Sequence, residues 1–456
     1  MQYVPHPYQT RAIEFGLKNP CFGLLLDPGL GKTSITFQVI KLLLHLKIIK
    51  GVLVVAPLRP CYLVWPAEAK KWDEFRGLRV TVLHGKHKDA NLKANAHVYV
   101  INPDGLEWLF HKALYNKRDW PFDMLVIDES QKFKSFTTQR FMLLKERLHK
   151  FHRRAILTGT PRPNSMIEMF SQIYILDQGK SLGKYLSDFY EKYCFKDDFG
   201  YVVVPGAEKV IYPKIAPLVL RMDAKDYLDL PELLTVDVPV EMPEKLFASY
   251  EEMRKQLRAE FEFGRVTAVN AGVKATKLRQ FASGAVYIDE NDGSRGYREL
   301  HAAKLEALQD LVEELQGEPL LVAYQYEHEL IRLKKTFPKA LSMGGGASMA
   351  QMQKYEAAWN AGTVQMLLLQ IDSGSLGMNL QGGGSHIAVF TPTYKSDSYE
   401  QLIGRIWRQG HKGKTVIVHR LLMARTLDSY ITHSVLEGKQ GGQRQFFEAL
   451  KAHALG

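Results

Sequence analysis

The chain has 456 residues, 46% apolar and 24% charged, which is too long for one ordinary core and too apolar for a disordered chain, so two or three domains are expected. Its net charge of +11, from 60 Lys and Arg against 49 Asp and Glu, suits a polyanionic partner, although many basic proteins bind none. Scattered Cys21, Cys61 and Cys194 give neither a disulfide framework nor a zinc site, no apolar run spans a bilayer, and Met1-Gln-Tyr-Val-Pro-His-Pro lacks a secretion signal, so a cytoplasmic protein with no membrane association is expected.

The first informative stretch is Asp27-Pro-Gly-Leu-Gly-Lys-Thr33. It reads as a phosphate cradle: Gly29 and Gly31 let the backbone approach phosphate oxygens, Lys32 reaches the terminal phosphates of ATP, and Thr33 offers its hydroxyl to Mg²⁺. Leu26 stands where the strict G-x₄-G-K-[ST] pattern has glycine, and a chance Gly-rich turn is the alternative. Ile35, Val39, Leu42, Leu43 and Leu46 recur at helical spacing, which places Lys32 and Thr33 at a helix N-terminus, where N–H groups and the dipole favour phosphate.

Short runs rich in Val, Ile and Leu follow at Leu53–Pro57, Val98–Asn102, Leu125–Asp128 and Ala155–Thr158. Separated by helical patterns, they predict buried parallel strands of a doubly wound α/β lobe. Leu125-Val-Ile-Asp-Glu-Ser130 ends its strand in two acids, at the edge where such lobes bind ligands. Asp128 would hold Mg²⁺ and Glu129 would activate the attacking water, whereas an acid pair taken alone is ordinarily a solvated strand end. Thr158-Gly-Thr-Pro161 closes the next run; Thr158 and Thr160 could couple phosphate state to lobe movement, or simply form a strand-exit turn.

From about 166 to 300 the pattern turns helical, with Leu246, Tyr250, Met253, Leu257 and Phe261 on one helical face, which predicts helical protrusions and a linker near Ala216–Leu233. Apolar runs resume at Leu320–Ala323, Gln365–Ile371, His386–Phe390 and Thr415–Arg420, a second α/β lobe. The division is expected at 1–235 and 236–456. Within the second lobe, Gln370-Ile-Asp-Ser-Gly-Ser-Leu-Gly-Met-Asn-Leu380 is a strand followed by a Gly/Ser turn, suited to close contact with a nucleic-acid backbone or nucleotide through Ser373 and Asn379, or an ordinary turn. Gln401-Leu-Ile-Gly-Arg-Ile-Trp-Arg408 sets Arg405 and Arg408 one helical turn apart. Such a pair can stabilise charge on a transferring phosphoryl group, or can cover a basic surface helix. A cradle, an acid pair and a distant arginine pair are the parts of an ATP-driven machine with two lobes.

The ordered set resembles the Swi/Snf-like ATPases of helicase superfamily two over nearly the whole chain. Pro7-Tyr8-Gln9 is similar to that family's adenine-contacting segment, and Trp65, Glu68 and Lys71-Trp72 to its W-x-x-E-x-x-K-W stretch. Leu157-Thr-Gly-Thr-Pro-Arg-Pro-Asn164 resembles its third motif, Leu218-Val-Leu-Arg221 through Leu230-Pro231 its linker, Lys304-Leu305 the start of its second lobe, and Arg425-Thr-Leu-Asp428 a late T-[IL]-[DE] element. The resemblance implies two tandem RecA-like lobes with helical protrusions, ATP and Mg²⁺ as cofactors, and DNA-stimulated hydrolysis coupled to tracking along DNA. It assigns Gln9 to adenine, and Thr158, Thr160, Gln401 and Gln131 to coupling. Gln131 stands where the family has histidine; Met352 stands near a usual arginine, and Trp359 replaces a usual phenylalanine. DNA, duplex or branched and held mainly through its backbone, is expected to run past Trp65, Lys134, Ser373 and Asn379. The protein is expected to act as a monomer. Two other readings stay open: a helicase that separates DNA or RNA strands, and a nucleic-acid-binding module whose motor has decayed.

Overall fold

The computed structural model describes residues 1–115, 120–159, 166–197, 200–262, 268–289, 295–344, 347–372, 378–432, 450 and 452–453. Contacts divide the chain into two compact units, Met1–Leu228 and Asp229–Gly456.

In the first unit, apolar runs become strands because both faces of their sheet are covered. The strands are β1 (Cys21–Leu26), β2 (Val52–Val55), β3 (Val80–Val82), β4 (Val98–Ile101), β5 (Met124–Ile127), β6 (Arg153–Thr158) and, after a hairpin of β7 (Cys194–Asp197) and β8 (Gly200–Val203), β9 (Val219–Met222). Seven of them pair in the order β3-β4-β2-β5-β6-β1-β9, every pair parallel. All four residues of β2, β4 and β5 are buried, as expected of strands clad by helices on both sides. The runs anticipated in this half correspond to β2, β4, β5 and β6; β1, β3 and β9 were not anticipated as runs. The segment between β6 and β9 carries the helices Met166–Asp177, Leu186–Tyr193 and Glu208–Ile215 along with the hairpin.

Two arginines fasten helices to this sheet. Neighbours on a strand face opposite ways, and Arg153 and Arg154, both buried, use that alternation. Arg153 donates to the carbonyls of Gly16, Leu17 and Asn19 at 2.7, 3.0 and 3.0 Å, at the end of the helix Pro7–Lys18. Arg154 donates to Leu148 at 2.9 Å and to Leu176 at 2.7 Å, at the end of the helix Met166–Asp177. Helix C-termini present carbonyls with no intrahelical donor and partial negative charge, so each guanidinium satisfies what its helix leaves open.

The second unit repeats the plan. Its strands are β10 (Glu232–Val240), the hairpin pair β11 (Ala285–Asp289) and β12 (Arg295–Glu299), β13 (Leu320–Tyr324), β14 (Leu341–Met343), β15 (Met366–Gln370), β16 (His386–Val389) and β17 (Thr415–Met423). Six form a parallel sheet in the order β10-β17-β16-β13-β15-β14. Leu320, Val322, Met366 and Leu368 join one core, while Leu321, Ala323, Leu367 and Leu369 join the core on the other face. β10 pairs with β17 from Glu232 to Val240, so a division at 235/236 falls inside a strand of this sheet. Its Pro239 is tolerated because β10 is an edge strand. The helix Glu244–Glu262 buries Tyr250 and Leu257, two of the residues its spacing singled out.

Two motifs meet in this core. Lys304 Nζ donates to Asp428 Oδ2 at 2.5 Å and to the Phe390 carbonyl at 2.9 Å, with both side chains buried. Removing either partner would strand a charge, at a cost of about 3–5 kcal/mol. Among the described residues no helix is long and apolar enough to cross a membrane.

Candidate nucleotide-binding site

The cradle follows β1 and opens the helix Lys32–His45. Gly29 and Gly31 take left-handed φ values of 93° and 79°, and Gly31 is the residue from which the helix starts. A Cβ at Gly31 would lie 2.5 Å from Gln9 Nε2, so conformation and space both call for glycine there. Lys32 Nζ donates to the carbonyls of Leu26 at 2.7 Å and Asp27 at 3.4 Å, and a Cβ at Gly159 would be 3.5 Å from it. Thr33 is the second helical residue and partly exposed. Gln9 is buried: its Nε2 donates to the Leu30 carbonyl at 3.2 Å, and its Oε1 accepts from His6 N at 3.0 Å. The residue assigned to adenine is therefore braced against the cradle itself.

Asp27 ties the cradle to the end of the unit. Its N–H donates to the Met222 carbonyl at 3.2 Å, and its Oδ2 accepts from Ala224 N at 2.8 Å. Burial pushes its carboxyl up, and that N–H works the other way.

The strands β5, β6 and β1 lie side by side, so the acids, Thr158 and the cradle leave the same edge of the sheet. Asp128 keeps part of its surface exposed, yet protein surrounds it: Oδ2 accepts from Trp65 Nε1 at 3.0 Å and Oδ1 from Glu129 N at 3.0 Å. Burial and the neighbouring Glu129 raise its pKa well above the usual carboxylate range, while the Trp65 hydrogen bond and Lys32 pull it down. Glu129 adopts a left-handed backbone, φ 52° and ψ 57°, which costs a non-glycine residue about 1–3 kcal/mol and tends to be kept at functional sites. Gln131 Nε2 donates to Glu129 Oε2 at 2.5 Å, and Thr158 Oγ1 donates to Gln131 Oε1 at 3.0 Å. One amide thus spans acid and hydroxyl, giving with its nitrogen and accepting with its oxygen.

The donor set fits magnesium. Asp128 and Thr33 offer hard oxygens, and a divalent ion would relieve the repulsion between Asp128 and Glu129 that raises the former. Among the described residues no group of three or more His, Cys, Asp or Glu could hold a metal unaided. Magnesium at nucleotide sites is ordinarily held by one or two protein ligands together with phosphate and water.

One expectation changes here. Trp65 does not face a nucleic acid: it is 0% exposed, packs on Phe37 with centroids 5.1 Å apart, and spends its N–H on Asp128. The resemblance places it beside DNA, but its apolar bulk is buried against Phe37 of the cradle helix. Lys134, by contrast, is half-exposed and pairs with Glu168 at 2.7 Å.

In the second unit the helix Ser396–Ile403, which carries Gln401, ends before Arg405. The arginines therefore lie in the turns beyond it rather than on one helical turn, and they still converge. Arg405 Nη1 donates to the Met378 carbonyl at 3.3 Å, and Arg408 Nη1 donates to Asn379 Oδ1. Burial, followed by Arg405, lowers the Arg408 pKa to about 10. Glu356, on the helix Met349–Asn360, accepts from Asn379 N at 2.9 Å; burial raises its carboxyl and both arginines lower it. Nothing in the sequence marked Glu356, because its partners come from distant segments. Met352 and Trp359 of the same helix are buried, and the Trp359 indole donates to the Leu380 carbonyl at 2.8 Å. Thr160 and Ser373 lie outside the described residues.

Residues 8–221 match the SNF2-related domain, and residues 303–410 match the helicase conserved C-terminal domain. Putative protein p41 of Acyrthosiphon pisum secondary endosymbiont phage 1 is 33% identical, over 98% of this chain and 99% of its own length. Chromatin remodeling factor mit1 of Schizosaccharomyces pombe is 25% identical over 90% of this chain, which spans 31% of that longer protein. Among solved structures, a Sulfolobus solfataricus SWI2/SNF2 ATPase core in complex with dsDNA covers 100% of this chain and 96% of its own, with 20% identity and a TM-score of 0.47.

Proposed function

We propose that this chain, which belongs to the Swi/Snf-like, SNF2-related ATPases of helicase superfamily two, hydrolyses ATP when stimulated by DNA and uses the energy to track along a duplex. The observation that carries the reading is the meeting of the cradle, the acid pair and the Gln131–Thr158 relay on three adjacent strands. The net charge of +11 supports a phosphate-backbone partner.

In this reading Lys32 leaves the carbonyls of Leu26 and Asp27 for the terminal phosphates of ATP, and Gln9 braces the loop beneath them. Asp128 and Thr33 would hold Mg²⁺, which supplies charge neutralisation on the phosphate oxygens. Glu129 takes the proton of the attacking water. Its held backbone and its bond to Gln131 fix the carboxylate before substrate arrives, and Thr158 senses through Gln131 whether that carboxylate has moved. Arg405 and Arg408 would be delivered to the γ-phosphate by the second unit, and DNA contacts would fall to Lys134 and Asn379 among the residues already named.

The test is ATP turnover with matched duplex DNA, branched DNA, single-stranded DNA and RNA, joined to displacement of a third strand bound to the duplex. Duplex or branched DNA should stimulate most, and binding should fall with salt at a log–log slope of roughly −0.9 per phosphate contacted. Stimulation by RNA alone, or strand separation without third-strand displacement, would replace this function with that of a helicase. Absence of turnover on every nucleic acid would leave a binding module.

A further inference from the structure

We infer that Trp65 is a positioning residue for the metal-holding carboxylate, its indole N–H fixing which way Asp128 presents its oxygens to the cation. This rests on the reading of Asp128 as the magnesium ligand. The indole N–H donates to Asp128 Oδ2 at 3.0 Å, and the Glu129 N–H donates to Oδ1 at 3.0 Å. Each carboxylate oxygen is therefore held by one donor and keeps lone pairs for a cation. An indole nitrogen only donates, so it cannot swap roles and let the carboxylate turn.

The ring is held as firmly as the carboxylate. Trp65 opens the helix Trp65–Lys71 and packs on Phe37, which itself stacks on Phe75 with centroids 5.6 Å apart. Phe37 belongs to the helix that starts at Lys32. One aromatic contact and one hydrogen bond thus join the phosphate-binding helix to the acid, so that the two halves of a metal–phosphate site keep their spacing. The second tryptophan of the same stretch does something else: Trp72 Nε1 donates to Glu68 Oε1 at 2.6 Å, and its ring packs edge-on to Tyr3. It provides a control within the motif.

The experiment measures binding of a fluorescent ADP analogue to the full chain, with EDTA and across a magnesium titration. Outer-shell partners of metal ligands are worth about 10–100-fold in metal affinity, and Trp65→Phe should raise the magnesium half-saturation about tenfold, leaving magnesium-free affinity as in the unaltered protein. Trp72→Phe should leave the magnesium titration unchanged. Because Phe is smaller, benzothienylalanine at position 65 gives the stricter test: it keeps the bicyclic shape and replaces only the N–H, and it should shift the titration as Trp65→Phe does. A titration unchanged by benzothienylalanine overturns the inference and leaves Trp65 as packing alone. Asp128→Asn separates the two claims. If it too leaves the magnesium dependence unchanged, Asp128 is not the ligand; if it abolishes that dependence while benzothienylalanine does not alter it, only the role of Trp65 fails.

Discussion

The two units share one plan, a parallel sheet clad by helices, and differ in how they keep their charges. In the first, Lys32 rests on backbone carbonyls, Asp128 on an indole and an amide, and Glu129 on Gln131. In the second, Arg405 and Arg408 lie close enough that one lowers the pKa of the other, with Glu356 as the nearby counter-charge. Asp128 and Glu129 are two negative charges side by side, which a substrate that brings its own cation relieves. Two guanidinium groups held close are relieved by an anion, and a γ-phosphate acquiring charge in flight is such an anion. The units also differ in their histidines. Burial pushes His301, His328, His419 and His453 of the second unit down to about 4, and in the first burial and Arg79 lower His97.

If chemistry is divided this way, the largest break comes from the first unit. Glu129→Gln should bind nucleotide with magnesium as before and lose about 10²–10⁴ in turnover, the usual weight of a positioned base. Normal hydrolysis in single-turnover measurements would remove the acid from the mechanism. Arg405→Ala and Arg408→Ala test the other half. Each should leave ATP affinity near normal and cut DNA-stimulated turnover by about 10³, the lower end of what such arginines supply. Intact stimulation would reduce both to surface charge, where substitutions change stability by only about 0.5 kcal/mol.

The smallest effect is one of stability. A histidine whose folded pKa lies below its unfolded value favours the fold fully above the unfolded pKa, and that contribution is lost as pH falls from about 6.5 towards 4. For a fully buried imidazole such as His328 the loss at pH 5 is on the order of 2 kcal/mol. Hydrogen exchange, corrected for intrinsic rates, should therefore show the second unit loosening before the first between pH 6.5 and 5. Equal loosening of both units would show that the imidazoles do not set the difference.

Sequence order made the cradle, the acids and the strands β2, β4, β5 and β6 legible, because each is a run of adjacent residues obeying one local rule. What escaped was settled by distant partners. Trp65 finds Asp128 across 63 positions and Glu356 meets Asn379 across 23, and no local pattern announces either. Arg153 and Arg154 stand just ahead of the apolar run Ala155–Thr158, yet they belong to its strand and close the ends of two helices on opposite faces. β10 escaped because Thr235, Asp237 and Pro239 interrupt its Leu and Val residues, most of the strand being exposed at a sheet edge, so it shows no continuous apolar run like its neighbours. The arginine pair was visible, and the end of its helix at Ile403 was not, since the turn beyond is set by contacts with Met378 and Asn379.

Asp27 has a practical bearing on dissecting the molecule. β9 pairs with β1 from Gly23 to Leu26, and the Asp27 carboxylate accepts the Ala224 N–H just beyond that strand. A fragment cut after the helix Glu208–Ile215 would keep every cradle residue and still expose an edge of β1 and leave Asp27 without that donor. The minimal piece in which nucleotide binding can be studied alone therefore extends to Leu228, where Tyr227 packs on Tyr8 one residue from Gln9.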